Sequence, residues 1–103
     1  MQYVRSKKLT DSADGKPCVI CGSRRNTVSC HSNFGQHGKG RGVKASDIFS
    51  VRLCQFHHDH LDGRQGKLNR AELHELFALA HQRTLQAWIE EGLITVLGDA
   101  NAG

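Results

Sequence analysis

At 103 residues the chain has room for one domain, and with 38% hydrophobic and 6% aromatic residues its apolar core is thin enough to call for a staple: a metal, disulfides or a partner subunit. The net charge of +4 is uneven: residues 1–52 carry +7 and residues 53–103 carry −3, a basic half that points to a polyanion such as nucleic acid. No apolar run is long enough to span a bilayer, and Met1 to Lys8 lack the apolar stretch of a signal peptide, so no membrane partner is expected. The expectation is a cytoplasmic protein with reduced thiols, which favours metal over disulfide.

Residues 1–16 are polar without apolar periodicity and read as a flexible or loosely docked basic arm. Pro17-Cys18-Val19-Ile20-Cys21-Gly22 is a knuckle, two thiols at x2 spacing on a turn that Gly22 relaxes. Thr27-Val28-Ser29-Cys30 has β character and leads into His31. The glycine-rich basic stretch 35–42 is expected as an irregular loop. A second strand over residues 49–53 delivers the chain to Cys54, and a short helix over residues 55–61 is broken by Gly63 and Gly66.

The longest element is the helix expected over residues 70–91. Asn69 with Glu72 three residues on is close to a capping box. Leu73, Leu76, Phe77, Ala80, Thr84, Leu85, Trp88 and Ile89 recur with the 3.6-residue period, and Gly92 stands where such a helix ends. This helix is expected to pack on the core, and its length and Trp88 also allow a homodimer contact. Residues 93–97 are expected to add a short strand or a packed tail that completes a domain over 17–97, with 98–103 disordered.

Cys18-x2-Cys21 and Cys54-x2-His57 are two half-sites of the kind a tetrahedral Zn2+ needs, and thiolates with one imidazole select zinc over magnesium or calcium. Cys30 has no x2 partner and is expected to be a buried strand residue. Beyond the zinc half-site, His58 and Asp62 lie i,i+4 and share a helix face, where a second, harder divalent cation has an imidazole and a carboxylate for ligands. His31, at the end of the preceding strand, is placed to reach it.

The order of a CxxC, a strand ending in His31, a loop and strand, and then Cys54-Gln55-Phe56-His57-His58 on a helix resembles the HNH endonucleases. The nearest resemblance is to the small phage and prophage HNH proteins of the Ref-like and YbcO-like groups, over roughly residues 17–63. It implies an α+β fold with a zinc-stabilised ββα-metal core, followed here by a long C-terminal helix. It also implies a metal-dependent DNA endonuclease acting on single- or double-stranded DNA in recombination or DNA processing. On this resemblance His31 polarises the attacking water, and His58 and Asp62 hold the catalytic Mg2+ or other divalent ion. Lys39, Arg41 and Lys44 on the insert contact phosphates, and Asn33 orients His31 or the substrate. Two positions depart from the family. His57 stands where a fourth cysteine is usual, and Cys30 stands where many members place a metal-binding Asp; either His31 itself then binds the metal, or Asp47, His37 or His60 completes the shell. The alternatives are a non-catalytic zinc module that binds nucleic acid or protein on a degenerate HNH scaffold, and a redox-sensing thiol protein with Cys18 and Cys21 free of metal.

Overall fold

In a computed structural model the described residues are 3–63 and 66–95, and they form a small α+β unit. In chain order it has a short helix α1 (Lys7–Asp11), strand β1 (Val28–His31), strand β2 (Ser50–Leu53), helix α2 (Gln55–Leu61) and the long helix α3 (Arg70–Glu90). The strands pair antiparallel with Val28 opposite Leu53 and His31 opposite Ser50, so His31 ends β1 beside the start of β2.

All four residues of β2 are buried. Val51 and Leu53 enter the core with Cys18, Cys30, Phe34, Cys54, Leu61, Phe77 and Ala80, and α3 closes over the strand. The contact of helix and strand includes a polar tie: the Arg52 N–H donates to Thr84 Oγ1 at 3.2 Å, and that hydroxyl donates to the Ala80 carbonyl at 2.8 Å. A fully buried threonine on the apolar face of α3 is thereby satisfied, as burial requires.

Helix α3 begins and ends where its residues predict. Asn69 accepts from the Glu72 N–H while the Glu72 carboxylate accepts from the Asn69 N–H, both at 2.9 Å, a complete capping box. At the other end Gly92 adopts φ +75°, its N–H bonds the Ile89 carbonyl, and the Leu93 N–H reaches back to Trp88 at 2.8 Å. That paired bonding is the left-handed stop that glycine favours. Phe77, Ala80, Thr84 and Trp88 are buried as the periodicity predicts, whereas Ile89 is 47% exposed. Trp88 is 1% exposed, buried within the single chain in keeping with the expected core packing of the helix.

The structure sharpens three further expectations. The glycine-rich loop contains a 3-10 turn at Gly35–His37 and a bridge between Gly40 and Val43. Residues 93–95 form no strand; 96–97 and the tail 98–103 lie outside the described residues. Of the two expectations for the arm, residues 3–16 are docked: Ser6 caps α1, Leu9 and Ala13 are buried, and backbone from Val4 to Ser6 bonds the segment around Asp47. The sequence concealed this because a five-residue helix shows too little periodicity to read. Among the described residues no helix is long and apolar enough to cross a membrane.

Candidate metal centre and histidine site

Two pieces of chain meet at the cysteines. The first is the knuckle, closed by Cys18 N–H to the Ser23 carbonyl at 2.7 Å and Gly22 N–H to the Cys18 carbonyl at 2.9 Å. It is fastened to the fold by Val19, whose N–H bonds the Arg52 carbonyl at 3.1 Å and whose carbonyl accepts from Arg83 at 2.9 Å. The second is the start of α2, where Cys54 is the N-cap residue and His57 lies in the first turn.

Together they bring Cys18, Cys21, Cys54 and His57 into one group whose donor atoms all lie within 4.8 Å of one another. Cys21 Sγ to Cys54 Sγ is 3.7 Å, Cys18 Sγ to His57 Nδ1 is 3.7 Å and Cys54 Sγ to His57 Nδ1 is 3.5 Å. A tetrahedral ion with bonds of about 2.3 Å to sulfur and about 2.0 Å to nitrogen has edges of roughly 3.5–3.8 Å between its ligands. The cluster therefore fits a metal such as zinc, and its three cysteines are free thiols. Burial by itself pushes the Cys18 thiol up, but main-chain hydrogen bonds from Cys21, Cys54 and Ile20 outweigh it and hold the thiol below its usual range. Burial, with the neighbouring His60, lowers the His57 imidazole and keeps it neutral, the form that donates to a metal.

Cys30 stays out of this group, as its spacing predicts. It is 3% exposed in β1, and burial with the nearby Asp62 charge pushes its thiol up to about 12.

His31 leaves β1 with its Nε2 2.7 Å from Asp47 Oδ1. Asp47 is buried, and burial alone raises its carboxyl. The hydrogen bonds from His31 and the Ser6 N–H, with the charges of His31 and Arg5, outweigh that and hold it below the usual carboxylate range. In the neutral tautomer that donates through Nε2 to this carboxylate, Nδ1 carries the free lone pair.

On α2, His58 Nε2 stands 3.0 Å from Asp62 Oδ2, the i,i+4 pairing read from the sequence. The His58 Nδ1 is buried without a hydrogen-bond partner among the described residues. Asn33 Nδ2 donates to Asp62 Oδ1 at 2.9 Å, so Asn33 contacts the α2 carboxylate and not His31. The structure thus sorts the expected site into two pairs, His31 with Asp47 and His58 with Asp62, and bridges their elements through Asn33. A cavity of about 470 Å³ lies at that bridge, lined by Asn33, Phe34, Leu61, Asp62, Arg70 and Leu73. Among the described residues the Cys/His group is the only one in which three or more such ligands converge.

The other candidates for a metal shell are engaged elsewhere. His37 Nδ1 shares a hydrogen bond of 2.6 Å with Ser32 Oγ, and its ring stacks on Phe49 at 4.4 Å. Its pKa is lowered by burial and then by the facing His81 and His74. His60 bonds the Phe56 carbonyl one turn back through Nδ1 at 2.9 Å. Lys39, Arg41 and Lys44 are exposed on the insert. Two interactions escaped the sequence reading, Arg5 and Ser6 on Asp47 and Arg52 on Glu91. Each joins residues about 40 positions apart, a separation with no local signal.

Residues 1–90 match the family model described as Protein of unknown function (DUF968). No curated protein and no solved structure matches the chain.

Proposed function

The chain belongs to the DUF968 family, and from the geometry of its two histidine pairs we propose that it is a metal-dependent DNA endonuclease of the HNH type. The observation that carries this reading is the His31–Asp47 hydrogen bond of 2.7 Å at the end of β1. A strand-end histidine whose Nε2 is occupied by a buried carboxylate has a defined tautomer and presents Nδ1 as a general base.

In this reading His31 takes the proton of the attacking water, and Asp47 steadies the imidazolium that forms. His58 and Asp62 hold the divalent cation, which when bound stabilises charge on the scissile phosphate and the leaving 3′ oxygen. Zinc at Cys18, Cys21, Cys54 and His57 fixes the start of α2 and so the placement of His58. Lys39, Arg41 and Lys44 supply phosphate contacts from the insert.

Plasmid and single-stranded DNA incubated with the protein and Mg2+, Mn2+ or Ni2+ test the reading. Cleavage is expected, and His31→Ala and His58→Ala are each expected to abolish it while one zinc per chain is retained. Wild-type protein that cuts neither substrate with any of these ions refutes the proposal.

A second reading, a zinc module that binds nucleic acid without cutting it, is favoured by Cys30 before His31 and by the convergence of no third ligand on His58 and Asp62 among the described residues. It predicts binding that weakens steeply with salt and leaves the strands intact.

A further inference from the structure

The N-terminal segment is bonded to the same carboxylate that holds His31. The Arg5 guanidinium donates through Nη1 to the Ala45 carbonyl at 2.6 Å and through Nη2 to the Lys44 carbonyl at 2.8 Å. Nη1 also lies 3.4 Å from Asp47 Oδ1, the oxygen that faces His31. The Ser6 N–H donates to the other oxygen, Oδ2, at 2.6 Å. Backbone closes the arrangement: the Asp47 N–H bonds the Val4 carbonyl at 2.8 Å, and the Val4 N–H bonds Ser46 Oγ at 2.9 Å.

We propose that this segment is a working part of the histidine site, with Arg5 a positioning residue that acts through Asp47 to fix the orientation and tautomer of His31. The consequence for cleavage rests on the endonuclease reading; the consequence for the His31 ring rests on this geometry alone.

The physical reason is the state of the Asp47 side chain, which is 5% exposed. A buried carboxylate stays ionised and immobile only when its lone pairs are taken up. Here His31 and Arg5 share one oxygen and the Ser6 N–H takes the other, so rotating the carboxylate breaks bonds on both sides. The charged or titratable groups facing it are Arg5 from the arm and His31 from β1. Without Arg5 the carboxylate loses its fixed countercharge, and the carbonyls of Lys44 and Ala45 lose the fork that sets the turn into Asp47. A lysine keeps the charge but lacks the planar fork that reaches two carbonyls at once. The guanidinium is itself steadied 5.2 Å over the Tyr3 ring, whose hydroxyl bonds the Gly38 carbonyl at 2.9 Å.

The test uses the full zinc-loaded chain as wild type, Arg5→Ala and Arg5→Lys, with Arg25→Ala at an exposed turn as control. Histidine ¹⁵N shifts report the His31 tautomer, carboxyl ¹³C shifts follow the Asp47 titration, and cleavage gives kcat and KM. In wild type and the control, His31 is expected in the single Nε2–H form. In Arg5→Ala it is expected as a mixture of tautomers, with the Asp47 titration moved to higher pH. Cleavage in that variant is expected to lose about 10- to 100-fold in kcat with KM changed less than about twofold, the signature of a misplaced base. Arg5→Lys is expected to fall between, and it carries the test if Arg5→Ala does not fold.

A wild-type His31 tautomer and a wild-type Asp47 titration in the folded Arg5 variants overturn the inference, whatever cleavage does. Absence of cleavage by the wild type defeats the endonuclease reading instead, and the two spectra still decide the role of Arg5.

Discussion

Asn33 Nδ2 donates to Asp62 Oδ1 at 2.9 Å, which joins the segment two residues beyond His31 to the helix turn that follows His58. Beneath it Phe34 and Leu61 share the core. The contact ties together the elements that carry the two histidine pairs, and it lies at the surface, where it contributes little to stability.

Replacing Asn33 separates these effects. Asn33→Ala is expected to lower stability by no more than about 1 kcal/mol in a urea titration, while cleavage falls about tenfold through lost alignment. Asn33→Asp places a second carboxylate against Asp62 and is expected to be more damaging to cleavage. Unchanged cleavage in both variants would remove any functional role from the contact.

Removing the metal is expected to unfold the chain, because the four ligands join the knuckle to the start of α2 and their cluster forms one wall of a thin core. The one tryptophan, Trp88, is buried, so its emission should shift to the red as a chelator extracts one zinc per chain. Cys30 provides an independent check. With its thiol pushed up to about 12 and its side chain buried, it should resist alkylation in the metal-loaded protein and react once the metal is gone. Cys30→Ala should keep the full zinc content, whereas Cys21→Ser should not.

Arg52 and Glu91 predict an acid-sensitive stability. The two nitrogens of Arg52 meet the two oxygens of Glu91 at 2.7 Å each, and the arginine also donates to Ser12 at 2.9 Å, so α1 and the end of α3 are clasped to β2. The hydrogen bond from Arg52 is the main cause that lowers the Glu91 carboxyl, and Asp47 is also held below its usual range. A carboxyl lowered on folding contributes stability that is complete above its unfolded pKa and disappears as pH falls through the folded value. Thermal stability should thus be level near neutrality and decline below about pH 4. Glu91→Gln should cost about 2–4 kcal/mol at pH 7 by leaving Arg52 buried without its countercharge, and should flatten part of that acid decline.

Much of the arrangement is readable because it rests on local rules. The helix of residues 70–91 follows from an apolar repeat bounded by Asn69 and Gly92, and the structure ends it within one residue of that reading. The Cys18, Cys21, Cys54 and His57 set follows from two x2 spacings, each of which places two donors on one turn whatever the rest of the chain does. The His58–Asp62 pair is likewise helix arithmetic.

Other features depend on how the chain closes. Asp47 was read from the sequence as a candidate for the metal shell and Asn33 as the residue orienting His31, whereas the fold pairs His31 with Asp47 by bringing β2 and the preceding turn back alongside β1. The docking of the arm on Asp47 joins positions 5 and 47, and the Arg52–Glu91 clasp joins positions 52 and 91. Composition and spacing determined the longer elements, the two half-sites of the Cys/His cluster and the basic character of the first half, because those follow from neighbours within a turn or a strand. Only tertiary structure decided which carboxylate faces which histidine, because a hydrogen-bond partner is chosen by distance in space, and the sequence records that distance only for residues a few positions apart.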